Sequence, residues 1–275
     1  MKKGIVKNWM SSPVYTVTPE TFIVDARRLL DVRKIRHLPV VSAGKLVGIV
    51  TRRGLLRADL PAVVDETWEI SYDLNQQTIQ DIMTVNPITV FPNTPIPKAA
   101  RVMLENKITG LPVLNEQREL VGILTSSDIF RFILEELEEP LQVAEYMSDE
   151  VVVVDPDTSL LEAHRLMGTK RIRALPVLED ERLVGLVTRT DLVSSDPSRF
   201  VSRKQQELSL KILTQPVEAI MTRTLVTVTP QTLLKEAAGL LLQKKIHCLP
   251  VVEKGKLVGI LTESDLFRMV VQKFF

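Results

Sequence analysis

Leu257-Val-Gly-Ile-Leu-Thr-Glu-Ser-Asp265 is a short apolar run that meets a hydroxyl residue and, three residues later, a carboxylate. A run that ends this way reads as a strand turning straight into a helix, with Thr262 and Asp265 at the junction. Nearly the same string stands at 46–54, 120–128 and 183–191; three copies end in Asp and one in Gly54. Outward from it the register holds. Met10, Met83, Met147 and Met221 each have a proline nine residues on: Pro19, Pro92, Pro156 and Pro230. Twenty-nine residues on lies a second proline, always inside Leu-Pro-Val: Pro39, Pro112, Pro176 and Pro250. Thr51, Thr125, Thr188 and Thr262 close the pattern, so the chain is an internal repeat in four copies.

The methionines are 73, 64 and 74 residues apart, which groups the copies into two similar halves. Each copy predicts β-α-β-β-α, an α+β fold. The first strand is the β-rich run, as in 14–17 or 151–154, ended by the proline. The first helix carries Ile23, Ala26 and Leu30, or Leu160, Ala163 and Met167, on one face. Leu-Pro-Val begins a hairpin whose tight turn holds Gly44 or Gly255, and the last helix follows, as at 127–137. A unit of about 55–60 residues has a marginal core alone, which predicts that neighbours pair into two pseudo-two-fold modules. The repeats are expected at 1–57, 80–139, 140–195 and 218–275. The inserts at 58–79 and 196–217 are expected to be packing or dimerisation helices, from Trp68 and Tyr72 and from Val201, Gln205, Leu208 and Ile212. Gly48, Gly122, Gly185 and Gly259 interrupt the second hairpin strand, which predicts either close approach of a backbone or ligand, or helix-to-sheet packing.

Bulk properties narrow the function. The 275 residues carry a net charge of +1, so no global basic field draws nucleic acid, which is not an expected partner. The single cysteine, Cys248, excludes an intramolecular disulfide framework and fits a reducing compartment. The N-terminus is too short and charged for a signal peptide, and the charge-free run 84–97 holds four prolines. A soluble cytoplasmic protein without membrane association is expected. The three histidines are isolated, so no metal site is expected, and no nucleophile stands in a credible context, so no enzyme is expected.

On the residues alone, Thr-x-x-Asp fits two readings. One is a capping box, although Glu or Gln is the usual third residue. The other is a carboxylate that accepts from two adjacent hydroxyls, as on a ribose. A second column lies three residues before the Leu-Pro-Val proline: Arg36, Thr109, Arg173 and His247. Its basic members fit either a helix-dipole complement or a phosphate contact.

Met-Ser/Thr before the first strand, Leu-Pro-Val on the next and Val-Gly-Ile-Leu-Thr-x-x-Asp at the end resemble the CBS (cystathionine beta-synthase) domain, over nearly the whole chain outside the inserts. The resemblance implies two Bateman modules whose clefts bind adenosine compounds (AMP, ADP, ATP or S-adenosylmethionine) as regulatory ligands, with no cofactor required. It implies a stand-alone regulatory sensor, a homo-oligomer such as a dimer, acting on another protein. The alternative is a scaffold or partner subunit whose clefts are vestigial. It assigns ribose contacts to Asp128, Asp191 and Asp265. Phosphate contacts fall to Arg36, His37, Arg173 and His247, with Thr125, Thr188 and Thr262 beside them. The base pocket takes Ser11, Thr16, Ser148, Val153, Ala174, Thr222, Thr227 and Cys248. Each cleft would draw its pocket from one repeat and its Asp from the paired repeat: Arg36 and His37 with Asp128, Arg173 with Asp265, His247 with Asp191. The two departures, Gly54 and Thr109, then fall in one degenerate cleft, expected to be empty or to bind differently.

Overall fold

The computed structural model describes residues 4–52, 54–55, 77–194 and 214–275. The predicted insert helices, with Trp68, Tyr72, Val201, Gln205, Leu208 and Ile212, lie outside the described residues. Repeat one contains α1 (Ile23–Arg33), β1 (His37–Ser42) and β2 (Lys45–Thr51). Repeat two contains β3 (Thr84–Val85), α2 (Ile96–Asn106), β4 (Gly110–Leu114), β5 (Leu120–Thr125) and α3 (Ser126–Glu136). Repeat three contains α4 (Leu160–Thr169), β6 (Ala174–Glu179), β7 (Arg182–Thr188) and α5 (Arg189–Ser194). Repeat four contains α6 (Leu234–Lys244), β8 (Cys248–Glu253), β9 (Lys256–Thr262) and α7 (Glu263–Phe274). The four hairpins are antiparallel with the same one-residue shift just after the Val of Leu-Pro-Val. Gly44 and Gly255 take φ of 76° and 81° in the turns, as a tight turn demands.

The first strand of each repeat is shorter than expected, and the anchoring prolines are the reason. Val17 N–H donates to Pro39 O, and Val41 N–H donates to Val17 O, making one parallel bridge. The next rung upstream needs an N–H from Pro39, and the next downstream needs one from Pro19. Proline has none to give, so the ladder stops after a single bridge. The same clipping recurs at Val90, Val154 and Val228.

The segment led by each methionine belongs to the partner repeat. Val6 N–H donates to Thr94 O and Ile79 N–H to Thr21 O, while Ser11 bridges Ile123. The second half repeats this: Val143 to Thr232, Val217 to Thr158, and Ser148 against Ile260. These exchanges pair repeat one with two and three with four. They also account for the strand glycines. The partner repeat closes on them with backbone and side chain, Thr84 O lying 3.2 Å from a Cβ on Gly48 and Ser148 O 3.1 Å from one on Gly259. A Cβ on Gly48 would fall 2.6 Å from Met83 Sδ, and one on Gly259 would fall 2.7 Å from Met147 Sδ. Gly122 faces Met10 and Gly185 faces Met221 in the same way. The methionine and glycine columns are therefore two halves of one latch.

Between modules the joint is helical. The apolar residues of repeats two and four form one continuous core, whereas repeats one and three keep separate ones. Helix α2 packs on α7 and α3 on α6. The Phe130 and Phe267 rings lie 6.5 Å apart at this joint, and Phe132 meets Trp9 and Phe274 edge-on.

Candidate functional site

The Thr-x-x-Asp elements sit where the strands end. Thr125, Thr188 and Thr262 each receive the Asp at the third helical position: its Oδ2 accepts from the Thr backbone N–H and from the Thr hydroxyl at 2.6–2.8 Å. The capping geometry is thus realised with Asp, because two acceptor contacts converge on one carboxylate oxygen. The other oxygen of Asp265 accepts from Arg268 at 2.8 Å, and that of Asp128 pairs with Arg131. Asp128 and Asp265 are buried, and Asp191 is half-buried. Desolvation raises the Asp128 pKa, against the lowering effect of Thr125 and Arg131. At Gly54 half of the cap survives: its N–H donates to Thr51 Oγ1 at 3.0 Å, with no carboxylate to return the bond.

Three members of the second column, Arg36, Arg173 and His247, come together around Glu263. Residues from all four repeats meet at one point. Arg36 Nη2 donates to Ser126 Oγ at 2.8 Å, and Ser126 Oγ donates to Glu263 Oε1 at 2.8 Å. Arg36 Nη1 lies 3.5 Å from Glu263 Oε1, and Arg173 Nη1 lies 3.6 Å from Glu263 Oε2. His247 Nδ1 stands 3.1 Å from Glu263 Oε1 and 2.8 Å from Arg36 Nη1. That nitrogen can donate to the carboxylate or accept from the guanidinium, so the two contacts are alternatives set by the ring proton. Glu263 is 4% exposed. Its burial alone would raise the pKa, but the bond and charge of His247, the charge of Arg36 and the Ser126 hydroxyl hold it down at about 2.

His37 stands one residue beyond this column and is buried. Its Nε2 is 3.2 Å from Thr109 Oγ1, and a Cβ on Gly110 would fall 2.7 Å from its ring. Burial and then the neighbouring Arg36 push its pKa down to about 4, so it is neutral at pH 7. The two members expected at opposite sides of the first module, His37 and Thr109, therefore touch.

Of the base-pocket residues, Ser11, Thr16, Val153, Thr222 and Thr227 are exposed, Ser148 and Ala174 are half-buried, and Cys248 is buried. Burial pushes the Cys248 thiol up to about 12, with Glu263 and Asp191 adding to it. That thiol is inert. Arg36 bonds Ser126 and Arg173 pairs with Glu263, two residues before Asp128 and Asp265 respectively.

Glu263 and Ser126 did not stand out in the sequence. They occupy the position after the Thr, a column reading Arg52, Ser126, Arg189 and Glu263. An acid unique to one of four copies was the available signal. Arg52 leaves the centre and pairs with Asp31 at 2.6 Å on the surface. Among the described residues no group of three or more His, Cys, Asp or Glu is placed to hold a metal, and no helix is long and apolar enough to cross a membrane. A depression of about 540 Å³ lined by Phe91, Pro92, Asn93, Asn115, Glu116 and Gln117 lies away from this cluster.

The CBS domain model matches residues 6–61, 79–135, 143–197 and 217–272. An uncharacterised protein of Methanocaldococcus jannaschii, MJ1225, is 29% identical over 273 residues, covering 96% of this chain and 98% of that one. The crystal structure of MJ1225, proposed as an archaeal homologue of g-AMPK, superposes with a TM-score of 0.78 at 27% identity over 96% of this chain and 99% of that one. An uncharacterised conserved protein of Pyrococcus horikoshii matches with a TM-score of 0.68 at 26% identity, over 97% of this chain and all of that one. The inosine-5'-monophosphate dehydrogenase of Korarchaeum cryptofilum is 39% identical over 117 residues, 42% of this chain but 22% of that enzyme.

Proposed function

The chain belongs to the CBS domain family, and on that premise we propose that it is a regulatory protein binding adenosine-containing ligands between its paired repeats. One observation carries the reading: Arg36, Arg173 and His247, from three repeats, point at one spot. Surface basic residues spread apart to lower their mutual repulsion. Their convergence on a shared point favours a multiply charged anion such as a ligand phosphate. A nucleotide reaching that point from any cleft would bridge repeats and bias their relative arrangement, by no more than its difference in affinity for the two states. AMP, ADP and ATP fit the cluster better than S-adenosylmethionine, which has no phosphate. The ribose would be held by Asp128, Asp191 or Asp265, sharing or replacing the bonds of Arg131 and Arg268.

A thermal-shift panel of AMP, ADP, ATP and S-adenosylmethionine on the full chain, repeated on Asp128→Ala, Asp191→Ala and Asp265→Ala, tests this. A ligand at 100 times its Kd should stabilise the fold by about 2.7 kcal/mol. Each Asp variant should lose part of the shift, and three variants that respond like the parent would remove the ribose role. A second reading draws on the internal satisfaction of the same groups: the Asp side chains cap, and Glu263 offsets part of the charge at the centre. It makes the protein a scaffold or partner subunit, and unaltered melting in millimolar ligand would favour it.

A further inference from the structure

We infer that Glu263 is a resident counter-anion, seated where the four repeats converge, and that an incoming phosphate must compete with its carboxylate for the same donors. The inference rests on the anion-binding reading above and deepens it. An acid in the first turn of a helix is normally served by its own helix N–H groups and by water. Glu263 is served instead by side chains of the other three repeats, Arg36, Ser126 and Arg173, and by His247 of its own. Two guanidinium groups, an imidazole and a hydroxyl around one carboxylate are the donor set that a phosphate uses, since guanidinium engages both anions with the same fork. Arg36, Arg173 and His247 remain 30%, 41% and 45% exposed while Glu263 is 5% exposed in its side chain. Ligand can therefore reach the cations from outside, whereas the carboxylate is enclosed behind them. None of the equivalent positions Arg52, Ser126 and Arg189 carries an acid, so the competition is particular to repeat four.

Two anions at one donor set repel. The Glu263 charge lowers affinity for every phosphate at the centre, and most for ligands that bring several negative charges there. Glu263 thereby acts as a specificity residue that favours short phosphate chains over long ones.

The test compares full-length parent and Glu263→Gln by isothermal titration with inorganic tripolyphosphate, ATP and AMP. Removing the charge should tighten tripolyphosphate and ATP by about tenfold or more, and AMP by less. Glu181→Gln, in the surface turn before β7, changes net charge equally and should change nothing. An unchanged or weaker affinity in folded Glu263→Gln overturns the inference, as does equal tightening by Glu181→Gln. If Glu263→Gln does not fold, Glu263→Asp takes its place. It withdraws the charge by one methylene and should rank between parent and neutral, and parent-like affinity overturns the inference. The two readings fail separately. Parent that binds AMP while Glu263→Gln changes nothing leaves adenosine binding intact and removes the counter-anion. Tripolyphosphate tightened in the variant, with no adenosine compound bound by the parent, does the reverse.

Discussion

The two modules carry the same motifs and bring different chemistry to the point where they meet. The first module closes its own seam with a neutral pair, buried His37 against Thr109, and reaches across with Arg36 and Ser126. The second closes its seam with charge: Arg173 and His247 around Glu263. What the modules share is the framework, made of the clipped bridges at Val17, Val90, Val154 and Val228 and the four methionine–glycine latches. Among the differences, the columns that face the centre change its chemistry most. The shared residues fold each copy and pair it with its neighbour; the differing residues at the centre are where function is to be sought.

The largest test of this difference is pH. His37 binds its proton less well folded, at about 4, than unfolded, at 6.5, so stability is whole above pH 6.5 and falls as the pH drops through the interval to 4. The loss should approach about 3 kcal/mol, at 1.36 kcal/mol per pKa unit. Glu263 works in a lower window. Its stabilising charge is whole above 4.5 and is lost only as the pH falls toward 2. Urea unfolding of the full chain at pH 7 and pH 4.5 should therefore carry the His37 step before Glu263 titrates. His37→Gln should flatten that step, and a step of the same size in His37→Gln would show that the neutral seam is not what titrates.

A smaller effect probes what the modules share. Gly122→Ala and Gly185→Ala each set a Cβ against a methionine sulfur of the paired repeat, so each should cost about 1–3 kcal/mol by overpacking. Met10→Ala should make Gly122→Ala less costly, and Met221→Ala should do the same for Gly185→Ala, each giving a favourable coupling in a double-mutant cycle. Equal couplings in the two modules would confirm one latch used twice. No coupling would mean that the methionine columns are held by something other than the glycines.

These tests also mark what a sequence can disclose. The repeat, its pairing and its element order were legible because prolines, glycines and Leu-Pro-Val recur at fixed spacing and act through the backbone of their own copy. The proline columns were visible while their effect was not, since Pro19 and Pro39 silence one ladder from its two sides and only the bridge at Val17 shows that. The latch was divided for the same reason: Met10 and Gly122 are each periodic, but nothing in either column says that the partner lies in another repeat. Glu263 was hidden most deeply. Its donors come from 36, 126, 173 and 247, brought together by the packing of α2 on α7 and α3 on α6, and no local spacing encodes that joint.

The smallest effect concerns the departure at Gly54. Its backbone does not need glycine, since its N–H already bonds Thr51 Oγ1 and a Cβ there would sit an ordinary 3.4 Å from that oxygen. Asp at this position would return the missing bond to Thr51 N–H, as Asp128, Asp191 and Asp265 do for their threonines. Arg57 stands three residues on, the spacing at which Arg131 and Arg268 serve Asp128 and Asp265. Gly54→Asp should therefore stabilise the protein by about 0.5–1 kcal/mol through capping alone. A ribose role would add a second consequence: if Gly54 and Thr109 share one cleft as the resemblance implies, that cleft would gain a carboxylate. Titration with AMP should then register one more site, or a tighter one, than the parent. A gain in stability with an unchanged titration would assign the aspartates to the fold, and a gain in both would assign them to fold and ligand together.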